Sequence, residues 1–269
     1  MSATGIVTTL SDMRMILSSQ TSNSSRIRPK NWVFLLRICY TQGRRRYGSY
    51  LASSPSCAVL LLALLTCAVS GVAPAAPVHT IAAARQLPFG TVVTVDGSVS
   101  TPSGAFASSF FDAGFGLQDH TAGIYVSLQT NLGIAPRQNA RVTGTLQDSF
   151  GLLILVPASP ADVTLLGVGP KIKPEEVATS AVGEATEGRI VQVKGRITQG
   201  PLNDLPFGYK LFVDDGSGAV QIFVNGDTGI DVSRLALGQR VRVTGFSSQF
   251  DTHYEIDPRQ PSDLVIVEE

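Results

Sequence analysis

Apolar and polar residues alternate along much of the chain after residue 77. The alternation is clear at Val93 and Val95, and again at Ile124, Val126 and Leu128. A period of two is typical of β-strands that bury one face and expose the other. The same pattern returns nearer the C-terminus, at Val191, Val193, Val220, Ile222 and Val224. The pattern predicts an all-β protein.

A long internal repeat divides this patterned region into two copies. Residues 90–97 are echoed by residues 188–195, and both blocks begin and end with glycine around alternating apolar residues. Two further pairs of blocks keep the same order, residues 118–126 with 214–222 and residues 141–144 with 242–245. Three collinear matches indicate a duplicated domain, with copies over residues 77–169 and 170–269.

Five strands are predicted in each copy. In the first copy they cover residues 91–100, 114–119, 122–128, 139–147 and 151–157. In the second copy they cover residues 189–198, 208–214, 219–225, 239–247 and 253–258. The longest break falls between strands three and four, which is typical of an OB barrel. The fold class predicted is therefore all-β, with two tandem OB-type five-stranded Greek-key barrels and short helical turns.

Two aspartates and two helical turns complete this prediction. Asp119 and Asp215 occupy the same place in the two copies, at the hairpin that joins strands two and three. Because Asp side chains in turns accept hydrogen bonds from nearby backbone N–H groups, we expect both carboxylates to shape their hairpins. Helical turns are predicted near residues 81–86 and 174–182. In the second of these, Pro174 is followed by two glutamates, which suits a first helical turn.

Several short motifs resemble known sequences. The first copy contains Phe-Gly-Leu-Gln-Asp at residues 115–119, Gly-Ile-Tyr-Val at 123–126 and Val-Thr-Gly-Thr-Leu at 142–146. Through them it resembles OB-fold domains of exported bacterial proteins, including modules attached to extracellular nucleases. The second copy, through residues 212–216 and 237–245, is similar to the broader nucleic-acid-binding OB superfamily. The resemblance implies an OB fold and a binding role, and these strand and turn motifs imply no particular activity.

The first 76 residues have a different pattern. Arginines at residues 44–46 precede an apolar run at 57–69, and small residues follow at 73–76. This order is that of a secretory signal, so residues 44–76 are predicted to direct export to the periplasm or the extracellular space. A retained membrane anchor is the alternative, although the run is shorter than the roughly 20 residues of a spanning helix. Residues 1–43 are interpreted as a disordered extension or as the result of a start site assigned too far upstream.

The charge balance also divides at this point. The whole chain has 21 basic and 21 acidic residues. Residues 77–269 hold 13 of the basic and 20 of the acidic residues, a net charge of −7. All three cysteines precede residue 77, so the two copies have neither a disulfide nor a cysteine-ligated metal.

No set of residues with catalytic spacing occurs in the two copies. His79, His120 and His253 are too far apart in sequence to form a metal-ligand motif. No serine lies in a Gly-x-Ser-x-Gly elbow, and no glycine-rich phosphate loop precedes a helix. The acids around residues 214–231 lack the register of a calcium loop. We therefore expect no catalytic residue, no cofactor and no metal.

The residues expected to bind a ligand are those that the alternation turns outward on strands one to three, the ligand face of OB domains. In the second copy they are Lys194, Arg196, Lys210, Phe212, Gln221 and Phe223. Such rings can stack bases while the cations neutralise phosphates, each stacked base contributing roughly 1–3 kcal/mol. In the first copy Tyr125 is the only clear outward ring. Three loop residues, Phe106, Phe110 and Phe111, either pack over the barrel end or contact the ligand.

Two binding hypotheses remain open. In the first, an exported module without catalysis binds single-stranded DNA or RNA through the second copy, with modest and strongly salt-dependent affinity because the net charge is acidic. In the second, it is an envelope or extracellular adaptor for a protein or an oligosaccharide, ligands that OB barrels also accept. Burial of Phe212 and Phe223 between the barrels would contradict the first hypothesis. Membrane contact is expected only through the N-terminal segment.

Overall fold

The computed structural model describes residues 77–267. This part of the chain consists mainly of β-strands, so the predicted all-β class is confirmed. The predicted extension at residues 1–43 and the predicted export segment at residues 44–76 lie outside the described residues. Within residues 77–267, no helix is long and apolar enough to span a membrane.

The first barrel closes through five strands. Its elements are β1 Val78–His79, α1 Ile81–Arg85, β2 Val92–Val99, β3 Phe115–Gln118, β4 Gly123–Val126, β5 Gln138–Ser149, β6 Leu152–Val156, a 3₁₀ turn at Pro160–Asp162 and β7 Val163–Val168. The closing order is β2, β3, β4, β6 and β5, and β5 pairs back onto β2. Within this ring only the β4 and β6 pair is parallel. The remaining strands, β1 and β7, pair with β2 and β5.

The second barrel repeats this topology. Its elements are β8 Glu175–Glu176, a 3₁₀ turn at Thr179–Ala181, β9 Ile190–Asp204, β10 Gly208–Asp214, β11 Val220–Asn225, a 3₁₀ turn at Gly226–Thr228, β12 Arg240–Phe250, β13 His253–Asp257, a 3₁₀ turn at Pro261–Asp263 and β14 Leu264–Ile266. The ring runs β9, β10, β11, β13, β12 and back to β9, with β11 and β13 parallel. Both copies therefore have the strand order of an OB barrel, and the predicted pair of barrels is confirmed.

The predicted elements differ from the structure in two places. All ten predicted strands are present, but β9 continues to Asp204 rather than ending near residue 198, because its distal half pairs with β10. The helical turn predicted from Pro174 begins only at Thr179. The two glutamates after Pro174 form a short strand instead, since their backbone pairs in parallel with β9.

Each barrel has its own apolar core, built from the alternating residues. The predicted inward residues of the second copy are all buried, and they are Val191, Val193, Leu211, Val213, Val220, Ile222 and Val224. In the first copy Val93, Val95, Ile124, Val126 and Leu128 are buried together. The alternation therefore identified the inner face of every strand it covered.

The paired aspartates shape their hairpins as predicted. One carboxylate oxygen of Asp119 accepts a hydrogen bond from the Thr121 backbone N–H at 2.7 Å, and the other accepts one from Ile81 at 2.9 Å. Asp215 likewise accepts a hydrogen bond from the backbone N–H of Thr179 at 3.1 Å. Each carboxylate thus joins its hairpin to the helical turn that opens its own barrel.

A third apolar cluster lies between the barrels, which belong to a single compact unit. Its buried members are Phe106, Tyr125, Leu152 and Ile154 from the first barrel and Ile190 and Phe246 from the second. The Phe106 ring centroid is 5.6 Å from that of Tyr125 and 5.3 Å from that of Phe246. At the same contact Gly123 and Gly188 meet backbone to backbone, and a Cβ atom on either would overlap the other. This cluster holds the two barrels in one arrangement.

Candidate functional site

The two barrels enclose a cleft beside their contact, which we call the inter-barrel cleft. The first barrel contributes the loop between β2 and β3 and the hairpin between β5 and β6. The second contributes the outer face of β10 and β11, the ligand face of an OB domain, and that of β13. The cleft has a volume of about 510 Å³, which is typical of ligand sites. Its lining includes Phe111, Phe150, Phe207, Phe223, Phe250, Asp204, Lys210, Asp227, Glu255 and Asp257.

Two aromatic pairs at the cleft each combine one ring from each barrel. The ring centroids of Phe111 and Phe207 are 6.2 Å apart. Those of Phe150 and Phe250 are 5.9 Å apart, and their planes differ by only 15°. Phe111 and Phe150 have φ angles of 53° and 52°, a left-handed conformation that is rare for aromatic residues. All four rings remain substantially exposed, so both pairs present aromatic surface to a ligand.

Two buried carboxylates lie on β13 at the cleft. Glu255 accepts a hydrogen bond from the Gln221 side-chain amide at 2.5 Å, and His253 Nε2 lies 3.9 Å from it. Asp257 accepts a hydrogen bond from the Ser248 side chain. Burial raises the pKa of Glu255 to about 7. Burial, together with the negative charge of Glu255, raises the pKa of Asp257 well above its usual value.

Lys210 is the cation among the lining residues of the inter-barrel cleft. Its Nζ atom is 2.8 Å from a carboxylate oxygen of Asp204 and 5.9 Å from the ring centroid of Phe223. Asp227, Glu255 and Asp257 add three further acidic groups. The cleft is therefore aromatic and acidic, and once Glu255 and Asp257 are ionised it favours cationic ligands and disfavours phosphates.

The structure divides the predicted site residues of the second copy into three groups. Lys210, Gln221 and Phe223 line the inter-barrel cleft. Phe212 is half-buried on β10 and lines a neighbouring depression of about 400 Å³ together with Gln221, His253 and Tyr254. Lys194 and Arg196 lie exposed on β9 and line neither cavity.

The prediction that Tyr125 of the first copy is an exposed ring was wrong. Tyr125 does point out of its own barrel, since Ile124 and Val126 fill the core, but its exposed fraction is 0%. The second barrel covers it, and its hydroxyl donates a hydrogen bond to Asp112 at 2.7 Å. Tyr125 is therefore a packing residue of the inter-barrel cluster and cannot contact a ligand.

Gln221 also differs from the exposed polar residue that the alternation predicted. It lies on the outer face of β11, but only 8% of its surface is exposed. Its side-chain amide is within hydrogen-bond distance of both Glu255 and His253. Gln221 therefore holds the Glu255 carboxyl group in place at the cleft.

Four cations occupy neighbouring strands of the second barrel, and we call them the cationic strip. Lys194 and Arg196 of β9 lie directly opposite Arg242 and Arg240 of β12, and all four are exposed. Lys194 Nζ lies 3.4 Å from Glu176 Oε2. Because this ion pair is exposed to solvent, it contributes little to stability. Arg240 and Arg242 form no ion pair with any residue between 77 and 267. The strip gives the two barrels, whose net charge is acidic, a basic face.

The described part of the chain contains no group of three or more His, Cys, Asp or Glu residues positioned to hold a metal ion.

Replacing Glu255 with glutamine is expected to stabilise the fold at high pH. Because the pKa of Glu255 is raised to about 7 in the folded state, folding favours the protonated carboxyl. Its contribution is fully present below the unfolded pKa, near 4.5, and is lost as the pH rises through 7. Urea unfolding at pH 8 should show Glu255→Gln more stable than the parent by roughly 3 kcal/mol, with no difference at pH 4. Glu176→Gln, on exposed β8, should show neither effect, and equal stability of Glu255→Gln and parent at pH 8 would contradict the burial described.

Neither a protein-family model nor a curated protein sequence matches this chain. Similar solved structures include OBody AM3L09 bound to hen egg-white lysozyme, which is 20% identical, with a TM-score of 0.30 over 36% of this chain and 99% of that one. A murine DNA binding protein bound with double-stranded DNA is 12% identical, with a TM-score of 0.35 over 65% of this chain and 97% of that one. Fission yeast Pot1 with single-stranded DNA is 11% identical, with a TM-score of 0.34 over 71% and 88%. The assignment of the fold rests on strand order, not on these similarities.

Proposed function

We propose that this chain is an exported, non-catalytic OB-fold module that binds single-stranded nucleic acid on the outer face of its second barrel. The observation that carries the proposal is the cationic strip. Its side chains repeat along each strand at every second residue, about 7 Å apart, and face each other across two strands about 5 Å apart. This arrangement suits a run of phosphates, because each contact releases counterions from the nucleic acid.

Phe212 supports the proposal from the adjoining strand. In the β-sheet register, Arg196 of β9 lies opposite Asp214 of β10. Phe212 is two residues along β10 from Asp214, and so lies close to the edge of the strip. Its ring borders a depression that also contains the side chains of Gln221 and His253. A base stacked on Phe212 could offer its edge to these two polar groups while its phosphate remains near Arg196. One such stack contributes roughly 1–3 kcal/mol.

One feature supports a non-catalytic role, and another supports export. Guanidinium groups bind phosphate through a planar fork of donors and remain protonated, so the arginines of the strip supply neither a nucleophile nor a general base. For export, the support is the order of residues 44–76, in which arginines precede an apolar run and small residues. Phosphate neutralisation, rather than cleavage, is the chemistry that the strip provides.

The test is a fluorescence anisotropy titration with a labelled single-stranded oligonucleotide at low salt. Replacing Arg240 and Arg242 with glutamine should weaken binding about tenfold or more and reduce the salt slope by about 2. Arg141→Gln is the matched control, because Arg141 occupies the place of Arg242 in the first copy but is paired with Asp96 at 2.7 Å. It should leave the affinity within about twofold of the parent. Absence of parent binding at tens of micromolar protein, or an equal loss in the control, would rule the proposal out.

A further inference from the structure

The inter-barrel cleft is chemically unsuited to the phosphates of the proposed function. Asp204, Asp227, Glu255 and Asp257 line it with a single lysine, Lys210. That lysine is already paired with Asp204. When Glu255 and Asp257 are ionised, a phosphate entering the cleft would therefore meet mainly negative charge, whereas a cation would be attracted by both carboxylates and ring faces.

One carboxylate oxygen at this cleft has no partner. Asp257 is 5% exposed, and its Oδ1 atom has no hydrogen-bond partner among residues 77–267. An unpaired polar atom at such a depth is costly, because it has lost water without gaining a donor. Asp257 lines the cleft, so its carboxyl group is at the wall that a bound ligand would contact.

The aromatic rings give this acidic group an apolar surround. Phe150 is held at the cleft by the two-residue turn between β5 and β6, which requires its left-handed φ, and Phe111 is held in the loop between β2 and β3. Phe111 has 73% of its surface exposed and Phe150 has 58%, although each faces a ring of the second barrel. Rings beside carboxylates are the arrangement that recognises an alkylammonium or guanidinium group, whose methylene stem packs on rings while the charge meets an acid.

We propose that the inter-barrel cleft binds a lysine or arginine side chain presented by an extended segment of a partner protein. Asp257 and Glu255 accept hydrogen bonds from the cationic head, and Phe111, Phe207 and Phe223 pack against the stem and its neighbours. The volume of about 510 Å³ exceeds that of one such side chain, so flanking residues of the segment occupy the remainder. This site lies apart from the cationic strip, so a basic partner in the cleft leaves Arg240 and Arg242 open to nucleic acid.

Binding of the cation is linked to proton release. Glu255 faces Gln221 from β11, Lys210 from β10, Asp204 from β9 and His253 from its own strand. Asp257 faces Glu255 and, from β12, Ser248. A ligand cation favours the ionised form of both carboxyls and so lowers their pKa values. Affinity should consequently rise between pH 6 and pH 8, with protons released on binding.

The experiment is isothermal titration of the folded protein with a capped peptide containing two lysines between phenylalanines. A peptide with acetyl-lysine at both positions is the matched ligand control. We expect the lysine peptide to bind in the micromolar range at pH 8. The acetylated peptide should bind at least about tenfold more weakly at that pH. The lysine peptide itself should bind about tenfold more weakly at pH 6. Equal binding of the two peptides would overturn the proposal.

Protein variants separate this site from other acids and from the nucleic-acid face. Asp257→Asn and Phe111→Ala should each weaken peptide binding about tenfold. Phe111→Ala keeps the test valid if Asp257→Asn disturbs the fold, because the Phe111 ring is on an exposed loop. Asp231→Asn, an exposed acid outside the cleft, should have no effect. Glutamine at Arg240 and Arg242 should weaken oligonucleotide binding about tenfold or more without changing peptide binding. If spermidine displaced the peptide with an affinity equal to that of the peptide, the ligand would be a small amine and the proposed protein partner would be rejected.

Discussion

Replacing Phe246 with alanine is expected to lower the free energy of unfolding by about 3–5 kcal/mol. Phe246 is fully buried at the centre of the cluster between the barrels. Its ring centroid lies 5.3 Å from that of Phe106 and 6.0 Å from that of Tyr125, in tilted and edge-on contacts. Alanine would leave a cavity bounded by rigid strands on both sides, which cannot collapse to fill it. Urea unfolding followed by fluorescence and circular dichroism measures the loss.

Phe89→Ala is the control for this variant, because the Phe89 ring is 62% exposed and its removal leaves no cavity. We expect the control to change stability by less than about 0.5 kcal/mol. The Phe246 variant should also weaken the lysine peptide, since the inter-barrel cleft exists only while the barrels keep their arrangement. A loss below about 1 kcal/mol would show that the barrels are joined mainly by other contacts.

The alternation of residues predicted the barrels because strand geometry is local. A period of two identifies which side of each strand faces its own core, and residues such as Val193 and Ile222 are buried as expected. The same pattern says nothing about what covers the outer side. Tyr125 was therefore assigned the correct direction and the wrong exposure, since its cover, Phe246, comes from the other copy.

The cationic strip was half visible in the sequence. Lys194 and Arg196 follow from the sequence because they lie on the first strand, and the first three strands of an OB barrel form its ligand face. Arg240 and Arg242 belong to the fourth strand, where the alternation Arg-Val-Arg already turned both cations outward. Their position opposite Lys194 and Arg196 follows from the closure of the barrel, in which strand four pairs with strand one.

The inter-barrel cleft could not be found in the sequence. Its aromatic pairs join Phe111 to Phe207 and Phe150 to Phe250, residues about a hundred positions apart that meet only when the barrels dock. Glu255 was not singled out either. On a strand that alternates acid and isoleucine, outward acids are usually solvated, whereas here both are buried at the cleft between the barrels.

Replacing Asp112 with alanine is expected to destabilise the protein by about 3–5 kcal/mol, because several buried donors lose their acceptor, and to weaken the lysine peptide as well. The Asp112 carboxylate is buried and accepts hydrogen bonds from the Tyr125 hydroxyl at 2.7 Å and from the Ser108 hydroxyl at 2.8 Å. It also accepts one from the Ser127 hydroxyl. Alanine would leave the Ser108 backbone N–H and the Ser108 and Ser127 hydroxyls without this acceptor, and the Tyr125 hydroxyl would keep only the Phe106 carbonyl at 3.3 Å. Each buried donor left unpaired costs about 1–3 kcal/mol, which water entering the cavity offsets only in part.

The measurement of the Asp112 variant distinguishes a loosened loop from a general loss of structure. Burial and then the Asp112 charge raise the pKa of Tyr125 well above its usual value. In Asp112→Ala the charge is gone, so spectrophotometric titration should show the Tyr125 pKa moving back toward its ordinary range. Asp112→Asn, which keeps an acceptor oxygen, should lose about half as much stability.

Asp112 links the inter-barrel cluster to the proposed peptide site. It joins the strand residue Tyr125 to the loop that carries both Phe106 and Phe111, so one carboxylate fixes a packed ring and an exposed ring. If the loop is held mainly by Asp112, its removal should weaken the lysine peptide about tenfold while oligonucleotide binding stays unchanged. Parent-like affinity in a folded Asp112→Ala protein would mean that contacts with the second barrel, such as that of Phe111 with Phe207, hold the rim by themselves.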